Sequence, residues 1–198
     1  MIKLAVTGNI ASGKTLVETF FKEQGVITVD ADEIVHDLLK TDNEIKCKIF
    51  ELFKGYDIED EKGEISRLKV GKIAFKDREK LKKLENIIHP AVKIKIEQFF
   101  TENKNKDLAA AVIPLLFEAG MENQFDYVIL VIADTNSRLK RLMLRSNLTY
   151  EEAMDRINSQ IPQEEKIKKA DFIIDNSLTC EKTKSQILDI LKKLKSLI

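Results

Sequence analysis

Along the chain, apolar residues gather into five short runs and fall at helical intervals between them. The runs are "IKLAVT" (Ile2 to Thr7), "VITVD" (Val26 to Asp30), "LAAAVI" (Leu108 to Ile113), "YVILVI" (Tyr127 to Ile132) and "DFIID" (Asp171 to Asp175). Each has the length of a strand covered on both faces, and five of them predict a parallel sheet. The segments Leu16 to Glu23 and Thr135 to Arg145 carry the helical period, which makes the alternation that of a doubly wound α/β fold. From Ala31 to Lys106 strand-like runs give way to helical spacing in "EIVHDLL", "IKCKIFELF", "RLKVGKIAF" and "LKKLENIIHPAVKIKIEQFF". That stretch is too long for a single crossover, so residues 31–106 read as a helical lobe inserted in a core of residues 1–30 and 107–198. A smaller excursion at about 146–170 opens on Thr149 and Glu152 in "TYEE", a capping-box signature. The closing stretch, Lys182 to Ile198, reads as an amphipathic helix packed on the sheet.

Composition narrows the partners. Thirty-three basic residues balance thirty-three acidic ones, so no general field attracts nucleic acid or anionic lipid, and any anion must be caught locally. Cys47 and Cys180 lie far apart with no Cys or His at metal-ligand spacing. Together with the lack of a leader-like start or a membrane-length apolar run, this leads us to expect two reduced thiols in a soluble cytoplasmic protein.

The strongest chemical signal is "GNIASGKT". Gly8, Gly13, Lys14 and Thr15 fill the pattern G-x-x-x-x-G-K-[ST] between a predicted strand and a predicted helix. Glycines let the backbone wrap an anion closely, and the helix N-terminus turns its N–H groups toward phosphate oxygens. Lys14 then reaches the β and γ phosphates, and the Thr15 hydroxyl is a candidate ligand for Mg²⁺. The loop specifies a nucleotide but not a reaction. A GTPase needs a guanine-reading N-K-x-D, which "NKNKD" (Asn103 to Asp107) does not match. Size and the helical insert favour a small kinase that closes over two substrates.

Candidates for the acceptor side follow the second run. Asp30 and Asp32 in "VDADEIVHDLL" fall where open α/β sheets bind ligands, and a carboxylate there can accept a hydroxyl proton. Asp32 is read as that base or as the N-cap of a helix starting near Glu33; Asp30 as a cap or a Mg²⁺-shell group. Arg138, Arg141 and Arg145 share one helical face, either a phosphate clamp or a solvated basic surface. His89 precedes Pro90, which predicts a helix break beside the imidazole. The role of His89 stays open between structure and function, and His36 is a weaker candidate still.

With these pieces in hand, the chain resembles the dephospho-coenzyme A kinases over nearly its whole length. The resemblance is carried, in that family's order and spacing, by "VTGNIASGKT", "VDADEIVHDLL", "RLKVGKIAFKDREKLKKLENIIHP", "VIPLLFEAGM" and "RLKRLMLRSNLTYEEAMDRINSQIPQEEKIKKADFIIDN". It implies a P-loop kinase fold: a five-stranded parallel core, a helical substrate-binding insert and a helical lid. It implies ATP-dependent phosphorylation of the ribose 3′-hydroxyl of dephospho-CoA, with Mg²⁺, and no nucleic-acid or membrane partner. By resemblance, Gly8 and Ala11, Ser12, Gly13, Lys14, Thr15 and Leu16 cradle the ATP phosphates, and Asn176 lies beside the adenine. Asp32, Lys14, Arg141 and Arg145 carry the chemistry, while Thr7, Asp32, Arg67, His89, Leu116 and Glu118 line the dephospho-CoA side. The family's loop commonly reads GGIGSGK, so Asn9 and Ala11 stand in place of two glycines; Ala11 fits readily if its φ is negative. His36 and Ser146 stand where the family often has Arg and Asp, which touches a basic contact and the lid's charge pairing rather than the reaction class. Two alternatives remain open from the residues alone: a kinase for another nucleoside or nucleotide, and a nucleotide-regulated binding module without catalysis.

Overall fold

The computed structural model describes residues 1–74 and 76–197; Phe75 and Ile198, each at the end of a stretch read as helical, lie outside them. The five apolar runs form β1 (Ile2–Thr7), β2 (Ile27–Asp30), β3 (Leu108–Val112), β4 (Tyr127–Ile132) and β5 (Phe172–Asp175). They pair in parallel in the order β2-β3-β1-β4-β5. Strand order therefore reverses at β1, whose carboxyl end is the switch point where α/β sheets receive ligands. The three central strands are mostly apolar because both their faces are covered, with Lys3 in the half-buried start of β1 and Thr7 at its end; β3, "LAAAV", is buried at every position.

The chain divides into two compact units, residues 1–30 with 100–198, and residues 31–99. In the first, α1 (Lys14–Glu23) and α9 (Cys180–Lys195) press Val17, Phe20, Phe21, Ile187, Ile190, Leu191 and Leu194 onto Leu4, Val6, Ile129 and Ile174 of the sheet. A second cluster joins α6 (Thr135–Ser146) to α7 (Tyr150–Asn158) through Leu139, Leu142, Ala153 and Ile157. The capping box read at Thr149 is present, with both reciprocal bonds to Glu152. A short α8 (Gln163–Ile167) then leads to β5.

The second unit is helical: α2 (Ala31–Thr41), α3 (Asn43–Leu52), α4 (Arg67–Ala74) and most of α5 (Arg78–Glu102). Two local expectations fail here. The break expected at Pro90 is absent, and α5 runs through it. Proline removes one helical hydrogen bond and costs roughly 3 kcal/mol, but Val92 and Ile96 bury the face beyond it, and packed apolar surface outweighs a single lost bond. Asp32 is not an N-cap either, because α2 begins one residue earlier, at Ala31.

Candidate active site

The loop after β1 is shaped by close approach. A Cβ on Gly8 would lie 2.6 Å from the Ser12 Oγ and collide with the Val131 carbonyl oxygen of β4. Gly13 combines a φ of 101° with contact against the Asn176 amide, whose Nδ2 would overlap any Cβ added there. Only glycine satisfies both requirements at position 13. The helix α1 starts directly at Lys14, so its N-terminus, the positive end of its dipole, opens onto the loop. Lys14 arches back over the loop and donates from Nζ to the carbonyls of Gly8 (2.8 Å) and Asn9 (3.3 Å).

Ala11 does not meet the condition of a negative φ. Its φ is 60°, the left-handed region that costs a non-glycine residue roughly 1–2 kcal/mol. Surrounding structure holds it there. Arg141 of α6 laces the loop to β5, donating from Nη2 to the Asn176 carbonyl (2.8 Å) and from Nη1 toward the Ala11 and Ser12 carbonyls (3.4 and 3.5 Å). Asn176 is 4% exposed, and its Nδ2 donates to the Ser12 carbonyl (2.8 Å) while its Oδ1 accepts from the Thr183 hydroxyl (3.0 Å). The same residues line an open cavity of about 290 Å³ with Gly13, Leu16, Leu178 and Cys180. Neither Leu178 nor Cys180, the latter read only as a reduced thiol, is a site candidate in the sequence, since nothing local marks them as part of a pocket wall.

The basic face of α6 separates into three environments. Arg138 is buried, its Nε donating to the Ile10 carbonyl (3.2 Å), and burial pushes its guanidinium below the usual value while Glu164 acts against that shift. Arg141 is half-buried on the loop, and Arg145 is exposed. The expected substrate-lining residues behave unequally as well. Thr7 is fully buried and donates to the Pro114 carbonyl (3.4 Å), and the Leu116 side chain is fully buried. Both shape the loop after β3, and neither side chain reaches solvent. Glu118 ends that loop, its Oε1 accepting from Lys166 Nζ at 2.7 Å, and Lys166 itself is 0% exposed. Lys166 gave no signal in the sequence, because a lysine amid "QEEKIKKAD" reads as surface.

In the helical unit, Arg67 of α4 grips Asp32 of α2 twice, from Nη2 to Oδ1 (3.2 Å) and from Nη1 to the carbonyl (3.3 Å). Both are exposed, and with Glu33, His36 and Asp37 they line a cavity of about 470 Å³. His89 sits half-buried on α5 outside this lining. The two expected acceptor groups, Asp32 and Arg67, are therefore brought together, and His36 joins them.

A strand, a glycine-bounded loop and a helix, with a lysine over the loop and an arginine lacing it, define a P-loop nucleotide-binding protein. The profile of the dephospho-CoA kinase family matches residues 2–182. A dephospho-CoA kinase of Carboxydothermus hydrogenoformans is 42% identical over 194 residues, covering 97% of this chain and 94% of its own. Among solved structures, a dephospho-CoA kinase from Campylobacter jejuni superposes with a TM-score of 0.72 at 33% identity, covering 99% of this chain and 98% of that one. A Thermus thermophilus protein does so with a TM-score of 0.82 at 31% identity, covering 98% and 97%. The chain belongs to the dephospho-CoA kinase family.

Proposed function

We propose that the protein transfers the γ-phosphoryl group of ATP to the 3′-hydroxyl of the ribose in dephospho-CoA, giving CoA and ADP, the last step of coenzyme A biosynthesis. What carries this reading is full-length membership of the family combined with an intact phosphate loop and a paired acceptor carboxylate. In the reaction the attacking oxygen forms a bond to the γ phosphorus as the β–γ bridging P–O bond breaks, and ADP leaves. Asp32 takes the proton from the 3′-hydroxyl, and Arg67 fixes the orientation of its carboxylate. Lys14 and Arg141, with Arg145 joining from the end of α6, bind the oxygens that gain charge. The loop N–H groups from Ala11 to Leu16 hold the phosphates, and the wall around Asn176 and Leu178 takes the adenine. His89 and Glu118 complete the dephospho-CoA side, where Thr7 and Leu116 act by shaping the chain rather than by side-chain contact.

The donor set fits a magnesium ion carried in with the nucleotide. Thr15 is exposed at the first turn of α1, and among the described residues no three His, Cys, Asp or Glu side chains cluster as a dedicated cage. Magnesium takes few protein ligands beside phosphate oxygens and water, and one hydroxyl from Thr15 meets that need. When bound it neutralises charge on the β and γ phosphates.

Among the described residues no helix is long and apolar enough to cross a membrane. We place the enzyme in the cytoplasm with two small-molecule substrates and neither nucleic acid nor membrane as partner. Two variants test the assigned roles. Asp32→Asn is expected to lower kcat by about 10²–10⁴ with ATP affinity within threefold of the parent. Lys14→Ala is expected to lower kcat by at least about 10² through lost transition-state contacts. An Asp32→Asn enzyme that keeps the parent kcat removes Asp32 as the base.

A further inference from the structure

The tip of the phosphate loop is held from outside by side chains that take no part in the reaction. Both polar backbone groups of Ile10 are bound by side chains: its N–H donates to Gln160 Oε1 at 2.7 Å, and its carbonyl accepts from Arg138 Nε at 3.2 Å. Next to it, Asn9 is 2% exposed and donates from Nδ2 to the Ile161 carbonyl at 3.0 Å. The Ile10 and Ala11 side chains pack on the Leu139, Leu142, Ala153 and Ile157 cluster between α6 and α7. Gln160 thus fixes the Asn9–Ile10 peptide and Arg138 the Ile10–Ala11 peptide, and Ala11 follows at φ 60°.

A non-glycine residue released from such constraint leaves the left-handed region, and it stays there only where its surroundings over-determine the backbone. We propose that Gln160, assisted by Asn9, is a positioning residue for nucleotide binding: it clamps the Asn9–Ile10 peptide while Arg138 holds the next one, and so keeps Ala11 left-handed and the loop in its phosphate-receiving shape. The inference rests on the reading that ATP phosphates occupy this loop. Its consequence is that the segment between α7 and α8, residues 159–162, contributes to ATP affinity without touching ATP.

The test is an energetic cycle between Gln160 and Ala11, read as the dissociation constant for ATP with Mg²⁺ by calorimetry. Gln160→Met keeps the length of the side chain and removes the acceptor. It is expected to weaken ATP binding about five- to thirtyfold, the left-handed penalty of one non-glycine residue expressed as an equilibrium constant. In an Ala11→Gly background the backbone has no such penalty, and the same Gln160→Met change should cost twofold or less. A purely structural role for Gln160 costs the same factor in both backgrounds, and equal factors overturn the proposal. If Gln160→Met does not fold, Asn9→Ala removes the bond to the Ile161 carbonyl and must show the same dependence on Ala11; its absence overturns the proposal equally. The parent chain separates the two levels of the argument. ATP binding and CoA formation by the parent with equal factors in the cycle remove only the clamp, whereas a parent that binds no ATP removes both the clamp and the kinase reading.

Discussion

Asn176 and Gly13 offer a sharp energetic test of how the site is built. Replacing Asn176 with Ala deletes the hydrogen bonds to the Ser12 carbonyl and from the Thr183 hydroxyl, both in buried surroundings. Two buried bonds of this kind amount to roughly 2–4 kcal/mol, since the Thr183 hydroxyl keeps only its longer bond to the Thr179 carbonyl (3.3 Å) and the Ser12 carbonyl only the long approach of Arg141 (3.5 Å). Gly13→Ala places its Cβ on the Asn176 amide nitrogen and 3.1 Å from Cγ, so the amide must swing away and the same two bonds are lost. A further ~1–2 kcal/mol comes from the positive φ at position 13. The two substitutions therefore remove one shared interaction, and the double variant should be as stable as Gly13→Ala alone. Independent effects would instead add, placing the double variant roughly 2–4 kcal/mol lower. Urea unfolding with linear extrapolation measures all three variants on one scale. Additivity within about 0.5 kcal/mol would show that Asn176 is not the strut that makes glycine necessary at position 13.

Two further outcomes follow from the charges around the site. Glu118→Gln strips the enclosed Lys166 ammonium of a counter-charge that itself reaches solvent, which costs roughly 1–3 kcal/mol and should lower Tm by about 2–12 °C; Lys166→Met in the same chain should recover most of that. A Glu118→Gln melt within about 1 °C of the parent contradicts the ion pair. Asp134 caps α6, and hydrogen bonds from the Ser137 hydroxyl and backbone N–H hold its carboxyl below the usual carboxylate value. Its contribution is complete above the unfolded-state pKa and is lost as pH falls through the lowered folded-state value. Asp134→Asn, which caps without titrating, should therefore flatten the acid limb of the stability curve, and an unchanged limb rules the contribution out.

The strands were legible because buried parallel strands are written as unbroken apolar runs, and all five appear within a residue or two of the stretches read for them. The loop after β1 was legible because its pattern is local, with Gly8, Gly13, Lys14 and Thr15 at fixed spacing between a strand and a helix. Features made by distant parts of the chain were not. The Asn9 bond to Ile161 spans 152 positions, and no pattern near either residue announces it. Lys166 reads as surface by composition, yet Glu118, 48 positions away, brings it into the interior. The helix through Pro90 failed as a local reading for the same reason: the residue's own preference points one way and the buried face after it points the other. Ala11 shows the converse case, a backbone angle that its own side chain disfavours and its neighbours impose.

The most direct test of the central claim is ADP release by the purified protein with ATP and Mg²⁺, with and without dephospho-CoA, followed by mass analysis of the acceptor. Acceptor-dependent ADP formation with a gain of one phosphate, the product being identical to CoA, is the expected result. A folded, ATP-binding protein that leaves dephospho-CoA unmodified contradicts the assigned acceptor and directs the search to other hydroxyl acceptors for the cavity around Asp32 and Arg67.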